Sequence, residues 1–254
     1  RMIWAASQFS VRFNGGEAFE PGGYITDYYT DEALKVIEKN KNQPFFLYLG
    51  HFAPHNPLQA LKKDFEHFHH LTDKSDHQLR VYSAMIRSLD RSVGKILDSL
   101  EKNEISENTL IIFSSDNGGA NYIHLSDINK PYRGWKLTHF EGGMHIPFMA
   151  RWPAEIKSGI IFDHPVHQND IFSTFAAAAG ATIPNDRIID GKNILPFIKE
   201  NKAPHNTLFW RQGRLQTILH HQWKMIFDKN QKKTWLFNLK TDPTERKNLA
   251  DQMP

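Results

Sequence analysis

Continuous apolar runs and runs with helical spacing alternate along the amino-terminal part of the chain. Apolar residues fill positions 44–50 ("PFFLYLG") and 109–115 ("TLIIFSS"), as is typical of strands covered on both faces. Between them, residues 76–102 carry apolar side chains at spacings of three and four, which predicts a long helix. A strand, a helix and a strand in this order indicate a βαβ unit with parallel strands.

The remaining pattern predicts further elements on both sides of this unit. Residues 1–23 lack a period and are expected to form a loop, and a helix capped by Thr26 or Thr30 is expected to run to about Asn40. The segment "HIPFMARWP" (145–153) predicts a third strand. Helices are expected over 169–181, ending at Gly180, and in "DGKNILPFIKE".

The sequence pattern changes at about Ala203. From there on, short segments of strand-forming residues separated by turns predict a small antiparallel sheet. We therefore predict an α/β fold with two parts. Residues 1–202 would form the main domain, and residues 203–254 a small β-rich subdomain at the carboxyl end.

Composition narrows the function classes. The 254 residues are 40% hydrophobic, and their net charge of +3 is spread along the chain, which gives little support to nucleic-acid binding. The chain has no cysteine, so it contains no disulfide, Cys-zinc site or cysteine nucleophile. No apolar stretch reaches the roughly 18 residues of a membrane span. The first residue is Arg1 without a signal pattern, which indicates a processed chain or a piece of a longer one.

A possible metal site follows the second predicted strand. Asp116 and Asn117 offer a carboxylate and an amide oxygen, the hard ligands that suit Ca²⁺ or Mg²⁺, and Gly118 and Gly119 let the backbone bend around an ion. The alternative is an ordinary turn, since Asp, Asn and Gly are the usual turn residues.

Two other loops carry candidate chemistry. His55 lies between prolines in "APHNP", a stiff loop suited to proton transfer or anion contact, with an ordinary surface histidine as the alternative. The loop "YRGWKLTHFEGG" (132–143) carries Lys136 as a point charge for an oxyanion, with Arg133 and His139 nearby, or is simply a solvated loop. Because His55 and the Asp116–Asn117 pair follow predicted parallel strands, we expect them to share one crevice.

Six segments in this order resemble the sulfatase family, and most of all arylsulfatases of the N-acetylgalactosamine-4-sulfatase type. They cover most of the chain: "GYITDYYTDEAL", "PFFLYLGHFAPHNPLQA", "SSDNGG", "RGWKLTHFEGGMHIPFMARWP", "DIFSTFAAAAGATIP…DRIIDGKNILP" and "WLFNLKTDPTERKNLA". The resemblance implies an alkaline-phosphatase-like α/β fold with a mixed sheet between helices, incomplete here, and a small carboxyl-terminal antiparallel sheet. No Gly-x-Ser-x-Gly elbow or P-loop competes with this interpretation.

The same resemblance assigns roles to four residues. Asp116 and Asn117 would ligate one divalent ion, usually Ca²⁺. His55 would contact the sulfate ester near its leaving oxygen, and Lys136 would neutralise charge on the sulfate and the departing alcohol. The family's nucleophile is formylglycine, made from a Cys or Ser, whose hydrate attacks sulfur.

The sequence departs from the family at that nucleophile. The Cys/Ser-x-Pro/Ala-x-Arg motif and the Asp-Asp pair that completes the metal site would lie upstream of His55, and neither is present. The nearest imitation, "SAMIR" (83–87), has Met85 at the Pro/Ala position and lies in the predicted long helix, so we reject it. The chain is thus expected to be the carboxyl-terminal portion of a sulfatase and to be inactive by itself.

Several interpretations stay open at this stage. The first is a sulfatase acting on aryl or sugar sulfate esters, whose amino-terminal part is its missing partner. The second is an inactive sulfatase-like remnant or binding module, and the third a phosphodiesterase or phosphonate hydrolase of the same superfamily. The resemblance implies a periplasmic, secreted or lysosomal location, and the lack of an Asn-x-Ser/Thr acceptor favours a bacterial source. Trp210, Arg211 and Arg214 would either reach a substrate or pack the small sheet.

Overall fold

The chain divides into two compact units, residues 1–106 and residues 107–254. The computed structural model describes residues 11–71 and 76–253. The predicted boundary after residue 202 falls inside the second unit, and the division at that point stays a prediction.

The first unit is mostly helical. Two short strands, β1 (Val11–Arg12) and β2 (Ala18–Phe19), pair antiparallel within the segment that was predicted to be loop. Three helices follow: α1 (Ile25–Asn40), α2 (Lys62–His67) and α3 (His77–Lys102). Helix α3 packs against both α1 and α2, which makes it the central element of this unit.

Helix α1 confirms the predicted helix but not its predicted cap. The residue before the first turn is Tyr24, in an extended conformation and without a side-chain cap. Thr26 and Thr30 lie inside the helix and are buried, and the Thr30 hydroxyl donates to the carbonyl of Thr26 at 2.6 Å. A threonine that bonds back to the preceding turn can be a helix-interior residue, so its hydroxyl is not by itself a start signal.

Helix α3 confirms the long predicted helix and contains "SAMIR" within it. Its buried face includes two serines, Ser88 and Ser92, beside the expected apolar residues. Ser92 tolerates burial because its hydroxyl shares a hydrogen bond of 2.6 Å with Thr30 of α1. Towards α2, Arg91 of α3 donates two hydrogen bonds, of 2.7 and 2.8 Å, to the buried carboxylate of Asp64. Polar pairs therefore fix the register between the helices.

The strand predicted over residues 44–50 is absent from the sheets of the described chain. The segment alternates half-buried and exposed residues, and Phe46 and Tyr48 are 70% and 84% exposed. A strand is defined by a ladder of hydrogen bonds to a neighbour, so an apolar run without such a neighbour is not assigned as one. The predicted βαβ unit is accordingly wrong for this structure.

The second unit begins with a two-stranded sheet. Strands β3 (Ile111–Ser114) and β4 (Phe148–Arg151) confirm the strands expected near 109–115 and 145–153. They pair antiparallel, with Ile111 opposite Arg151 and Ser114 opposite Phe148. The parallel pairing predicted for 109–115 is therefore corrected.

Three short helices occupy the middle of this unit. They are α4 (Glu141–Met144), α5 (Asn169–Ala178) and α6 (Leu195–Glu200), and a single 3-10 turn spans Asn121–Ile123. Helix α5 ends as predicted, with Gly180 at φ +64° just beyond it. Among the described residues, no helix has the length and apolarity needed to cross a bilayer.

The predicted carboxyl-terminal sheet is confirmed as an antiparallel meander. It consists of β5 (Thr207–Gln212), β6 (Leu215–His220), β7 (Trp223–Asp228) and β8 (Lys233–Asn238) in sequence order. Alternate residues build its covered face, where Ile226 and Phe237 are 1% and 0% exposed. The same face includes a fully buried lysine, Lys224, directly opposite Phe237.

Candidate active site

The end of strand β3 carries the two candidate metal ligands into a turn. The Asp116 side chain is exposed and that of Asn117 is half-buried. The Ser115 hydroxyl donates to the carbonyl of Asn117 at 2.9 Å, and Gln168 donates to the carbonyl of Ser115 at 2.6 Å. These bonds hold the chain as it leaves the strand, so the two ligands project from a fixed backbone.

The glycines after this pair make a close backbone crossing with the loop of residues 132–145, called the lysine loop below. The Gly118 amide donates to the carbonyl of Gly143 at 3.1 Å, and the Lys136 amide donates to the carbonyl of Gly119 at 3.0 Å. A Cβ at Gly118 would collide with the carbonyl oxygen of Gly142. Gly118 is therefore required by the approach of two backbones, whereas a Cβ at Gly119 would meet the side chain of Ile128 at 2.8 Å.

Asn129 locks the crossing from the side. Its amide oxygen accepts from the amide of Gly119 at 2.7 Å, and its amide nitrogen donates to the carbonyls of Gly119 and Gly134 at 2.9 and 3.1 Å. One side chain thus joins the Asp116–Asn117 turn to the start of the lysine loop. The structure brings three of the four predicted site residues, Asp116, Asn117 and Lys136, into one hydrogen-bonded segment of the second unit.

The Lys136 ammonium is the candidate functional group of this loop. The side chain is half-buried, and within residues 11–71 and 76–253 its ammonium has no hydrogen-bond or ion-pair partner. Its neighbours Trp135 and Leu137 are 45% and 61% exposed, and Leu137 has a φ of +75°, an uncommon conformation for a non-glycine residue. A lysine that is flanked in sequence by two exposed apolar residues suits an anionic group on a larger organic molecule.

Asp116 and Asn117 fit part of a Ca²⁺ site. The Asn117 amide nitrogen donates to the carbonyl of Gly118 at 2.9 Å, which orients its amide oxygen away from that bond. Among the described residues, the Asp116 carboxylate has no hydrogen-bond partner, and no group of three or more His, Cys, Asp or Glu is placed to hold a metal. The two side chains supply two oxygens of the six to eight that Ca²⁺ takes.

His55 lies in the first unit, within a tight turn. Its amide donates to the carbonyl of Phe52 at 2.9 Å, and its ring packs against that of Phe52 at 5.2 Å between centroids. Nδ1 is 2.7 Å from the carbonyl oxygen of Asn56, an acceptor, so Nδ1 carries a proton and the neutral ring has its lone pair on Nε2. That His55 shares a crevice with the residues of the second unit stays a prediction.

The structure gives the other loop candidates structural partners. Arg133 donates to the carbonyl of Glu245 at 3.1 Å and stacks over Phe140. His139 is buried and forms a hydrogen bond of 2.7 Å with the Thr217 hydroxyl; burial first, and the charge of Lys224 second, lower its pKa. His139 is therefore not a solvated residue, whereas Arg133 is exposed and is held by these two contacts.

Two of the three candidates in the small sheet pack or pair, and the third, Arg211, is exposed. Trp210 lies beside His167, with 5.6 Å between ring centroids. Arg214 binds the buried carboxylate of Asp228 at 2.8 Å. Of the two interpretations given to these residues, packing of the sheet has contacts in its favour.

A buried ionic cluster was not found from the sequence. The Lys224 ammonium lies 2.6 Å from a carboxylate oxygen of Glu141 and 2.9 Å from one of Glu245. Burial raises the pKa of Glu141, but the hydrogen bond from His145 and the charge of Lys224 outweigh it and the pKa is lowered. Burial dominates for Glu245, whose pKa is raised. We call these three residues the buried trio.

Two members of the trio lie in segments that resemble the family, although nothing in the sequence marks them as an ionic cluster. Glu141 precedes the double glycine of "FEGG", and Glu245 is the second acid of "DPTERKNL". Lys224 gave no signal, because a lysine in a strand is normally a solvated residue.

The comparisons with known proteins agree with this architecture. The model of the sulfatase family matches residues 4–181, and that of the N-sulphoglucosamine sulphohydrolase carboxyl-terminal region matches residues 134–254. The steryl-sulfatase of Homo sapiens is 36% identical over 222 residues, which are 80% of this chain and 36% of the relative. The human N-acetylgalactosamine-6-sulfatase is 34% identical over 209 residues, 81% of this chain and 37% of the relative.

A solved structure matches over most of the chain. The structure of Ps i-CgsB in complex with k-i-k-neocarrahexaose is 35% identical, with a TM-score of 0.84, and the match covers 94% of this chain and 53% of that one. The chain therefore belongs to the sulfatase family and has its alkaline-phosphatase-like α/β fold. It spans little more than a third of the length of the curated relatives and about half of the solved structure.

Proposed function

We propose that this chain is the carboxyl-terminal portion of a sulfuric ester hydrolase. The supporting observation is Lys136: a lysine ammonium without a described partner, on a loop hydrogen-bonded to the turn that carries Asp116 and Asn117. Family membership supplies the reaction class, because fold alone does not define a function. The nucleophilic half of the site would come from sequence upstream of Arg1.

In this proposal Asp116 and Asn117 hold one divalent ion, Ca²⁺, together with oxygens from that upstream part. When present, the ion would lend positive charge to the sulfate oxygens, and formylglycine would supply the attacking hydroxyl. Both side chains offer hard oxygens, which suit such an ion. Their backbone is fixed at Ser115 and Gly118, so they need little reorganisation to bind it.

Lys136 and His55 act on the leaving side of the reaction. As the sulfur–oxygen bond breaks, negative charge develops on the bridging oxygen, and a fixed ammonium at Lys136 stabilises it. His55 contacts the sulfate ester near the same oxygen. The contact of 2.7 Å between Nδ1 and the Asn56 carbonyl oxygen holds the imidazole in one orientation for this role.

The substrate class is a sulfate ester of a saccharide or an aryl alcohol. The relatives include an N-acetylgalactosamine-6-sulfatase and a steryl-sulfatase, and a related structure contains k-i-k-neocarrahexaose. The exposed Trp135 and Leu137 beside Lys136 provide apolar area for the ring of such an alcohol. A periplasmic or secreted location, lysosomal in an animal, completes the proposal.

The test uses the intact protein from its source, with any sequence upstream of Arg1. Peptide mass spectrometry should find formylglycine upstream, and the protein should hydrolyse aryl and saccharide sulfates. Lys136→Ala should lower kcat by about 10²- to 10³-fold, because one preorganised charge at the transition state is lost, while thermal unfolding stays close to the parent's.

Lys130→Ala is the matched control, since Lys130 lies in the same part of the chain but pairs with Asp127 on the surface. It should retain full turnover. Near-normal turnover of Lys136→Ala would overturn the role of Lys136. Hydrolysis of phosphonate or phosphate diesters in preference to sulfates, or no hydrolysis and no formylglycine, would overturn the reaction class.

A further inference from the structure

We infer that Glu245 is a positioning residue for Lys136 and that it works through the buried trio at the base of the lysine loop. The inference rests on the proposed function, in which Lys136 acts on the sulfate ester. Glu245 lies in the segment "DPTERKNL", in which we identified no candidate catalytic or metal-binding residue. Through Glu245, this segment would help to position Lys136 for the reaction.

Glu245 holds both ends of the lysine loop. Its carbonyl accepts from Arg133 at 3.1 Å, and its carboxylate accepts from the backbone amide of Glu141 at 2.6 Å. The Gly142 amide donates to the carbonyl of Arg133 at 2.6 Å, which closes the base between those two contacts. Lys136 lies within the segment so closed, so a shift of either end is transmitted to it.

Lys224 secures this clamp electrostatically. Its ammonium, 1% exposed, bridges Glu141 and Glu245 at 2.6 and 2.9 Å. Lys224 belongs to strand β7, and hydrogen-bonded strands on both sides hold it in register. The trio therefore ties the loop to the most regular sheet of the second unit, since a buried charge set is strongly geometry-dependent.

The loop is supported on its other flank as well. Phe140 packs against Trp235 and Phe237 of β8, with 5.6 and 6.2 Å between ring centroids. The Lys136 amide bonds to Gly119 on the opposite side. With the backbone held from both flanks, the Cα of Lys136 is fixed, which restricts the region that its ammonium can reach and so favours stabilisation of a developing charge.

Glu245 itself has an uncommon conformation. It is fully buried and has a φ of +56°, in the left-handed region that non-glycine residues seldom adopt. Such conformations cost free energy and persist where surrounding contacts enforce them, often at functional sites. A glutamate kept there, where its carbonyl and carboxylate both serve the lysine loop, supports a positioning task over simple filling of space.

The test is a double-mutant cycle in the intact protein between Glu245→Ala and Lys136→Ala. Glu245→Ala alone should lower kcat about tenfold or more with less than about twofold change in KM, because the loss falls on transition-state stabilisation. In the Lys136→Ala background the same change should lower kcat by less than about twofold, because its target is gone. Equal factors in both backgrounds would overturn the inference.

Glu245→Gln keeps an acceptor for the Glu141 amide and should rescue much of kcat, and it replaces Glu245→Ala in the cycle if the alanine variant does not fold.

Asp228→Asn is the matched control: Asp228 is a buried acid on the same strand as Lys224, and its contacts are with Arg214, Asn230 and Gln231. It should lower the Tm without lowering kcat. A parallel fall in kcat for this control would overturn the inference.

Hydrogen exchange gives a readout that does not depend on turnover. In Glu245→Ala the amides of Glu141 and Gly142 should exchange about tenfold faster or more, since their opening becomes easier, and in Asp228→Asn they should not. Unchanged exchange would overturn the positioning. If Lys136→Ala retains full activity while exchange changes as expected, the role proposed for Lys136 fails, and with it the task of Glu245 in the reaction, whereas the contacts of Glu245 with the loop backbone stand.

Discussion

Each unit contains a buried ionic cluster in which one charge faces two opposite charges, and the two clusters have opposite signs. In the first unit Asp64, 0% exposed, lies between Arg87 and Arg91. In the second unit Lys224, 1% exposed, lies between Glu141 and Glu245. The clusters differ in their partners: the arginines are 39% and 27% exposed, but the glutamates only 14% and 0%.

This difference separates two uses of buried charge. The cluster of Arg87, Arg91 and Asp64 joins α3 to α2 and therefore stabilises the packing of these helices. Because both arginine side chains reach water, their guanidinium groups can be rehydrated if the ion pairs are lost. The glutamates of the buried trio have little access to water. Breaking that cluster leaves carboxylates unpaired in a dry site, which is far more costly and moves the lysine loop.

The largest expected effect follows from removing the centre of the buried trio. Lys224→Met keeps the volume of the side chain but leaves Glu141 and Glu245 facing each other without a cation. We expect a loss of about 3 to 5 kcal/mol in the free energy of unfolding, measured by urea denaturation of the intact protein. A loss below about 1 kcal/mol, the size of an exposed pair, would show that the trio is not electrostatically coupled.

A smaller effect is expected at the mirror-image cluster. Asp64→Asn removes the charge between Arg87 and Arg91, but both guanidinium groups can turn to solvent. We expect a loss of about 1 to 3 kcal/mol, typical of a hydrogen bond to a charged group, in the same denaturation experiment. A loss equal to or above that of Lys224→Met would contradict the argument from partner exposure.

The smallest effect is a difference in pH dependence. Burial raises the pKa of Glu245 above its ordinary value of about 4.5, so between these two values the folded chain binds more protons than the unfolded chain and its stability falls as the pH rises. The hydrogen bonds from Arg91 instead lower the pKa of Asp64, against the opposing effect of burial, and that stability is lost as the pH falls below about 3.8. The two clusters therefore have opposite slopes.

Glu245→Gln isolates the first slope. Both proteins keep Glu141 and His145, so the difference between their unfolding free energies above pH 4.5 reports Glu245. The parent should lose stability relative to the variant as the pH rises, because the raised pKa of Glu245 makes the folded chain bind the extra proton. A difference that is constant over pH 4.5 to 8 would show that Glu245 titrates normally.

Local pattern was sufficient for the elements whose partners are close in sequence. Helices α1, α3 and α5 follow from their 3.6-residue period, and β5 to β8 follow from short alternating pieces separated by turns. The prediction of a strand at 44–50 was wrong because the sequence pattern shows which side chains are apolar but not whether another strand lies beside them. The pairing of β3 with β4 likewise depends on a contact that periodicity does not encode.

The candidate site divides in the same way. Asp116, Asn117, His55 and Lys136 were identified because each lies in a short distinctive segment. The residues of the buried trio are separated by 83 positions between Glu141 and Lys224, and only the folded chain brings them together. A lysine in a strand and a glutamate near the end of the chain have no local signature of an ionic cluster.

The crossing of Gly118 with Gly142 has a consequence for how this region tolerates sequence change. Any side chain at Gly118 would meet the Gly142 carbonyl, and one at Gly142 would meet the carbonyls of Arg133 and Gly134. Neither glycine offers a functional group to a substrate. A scan of all substitutions should therefore find that these two positions, which carry no reactive group, are among the least tolerant in the chain. The reason would be the short distance between two backbone segments and not any part in the chemistry.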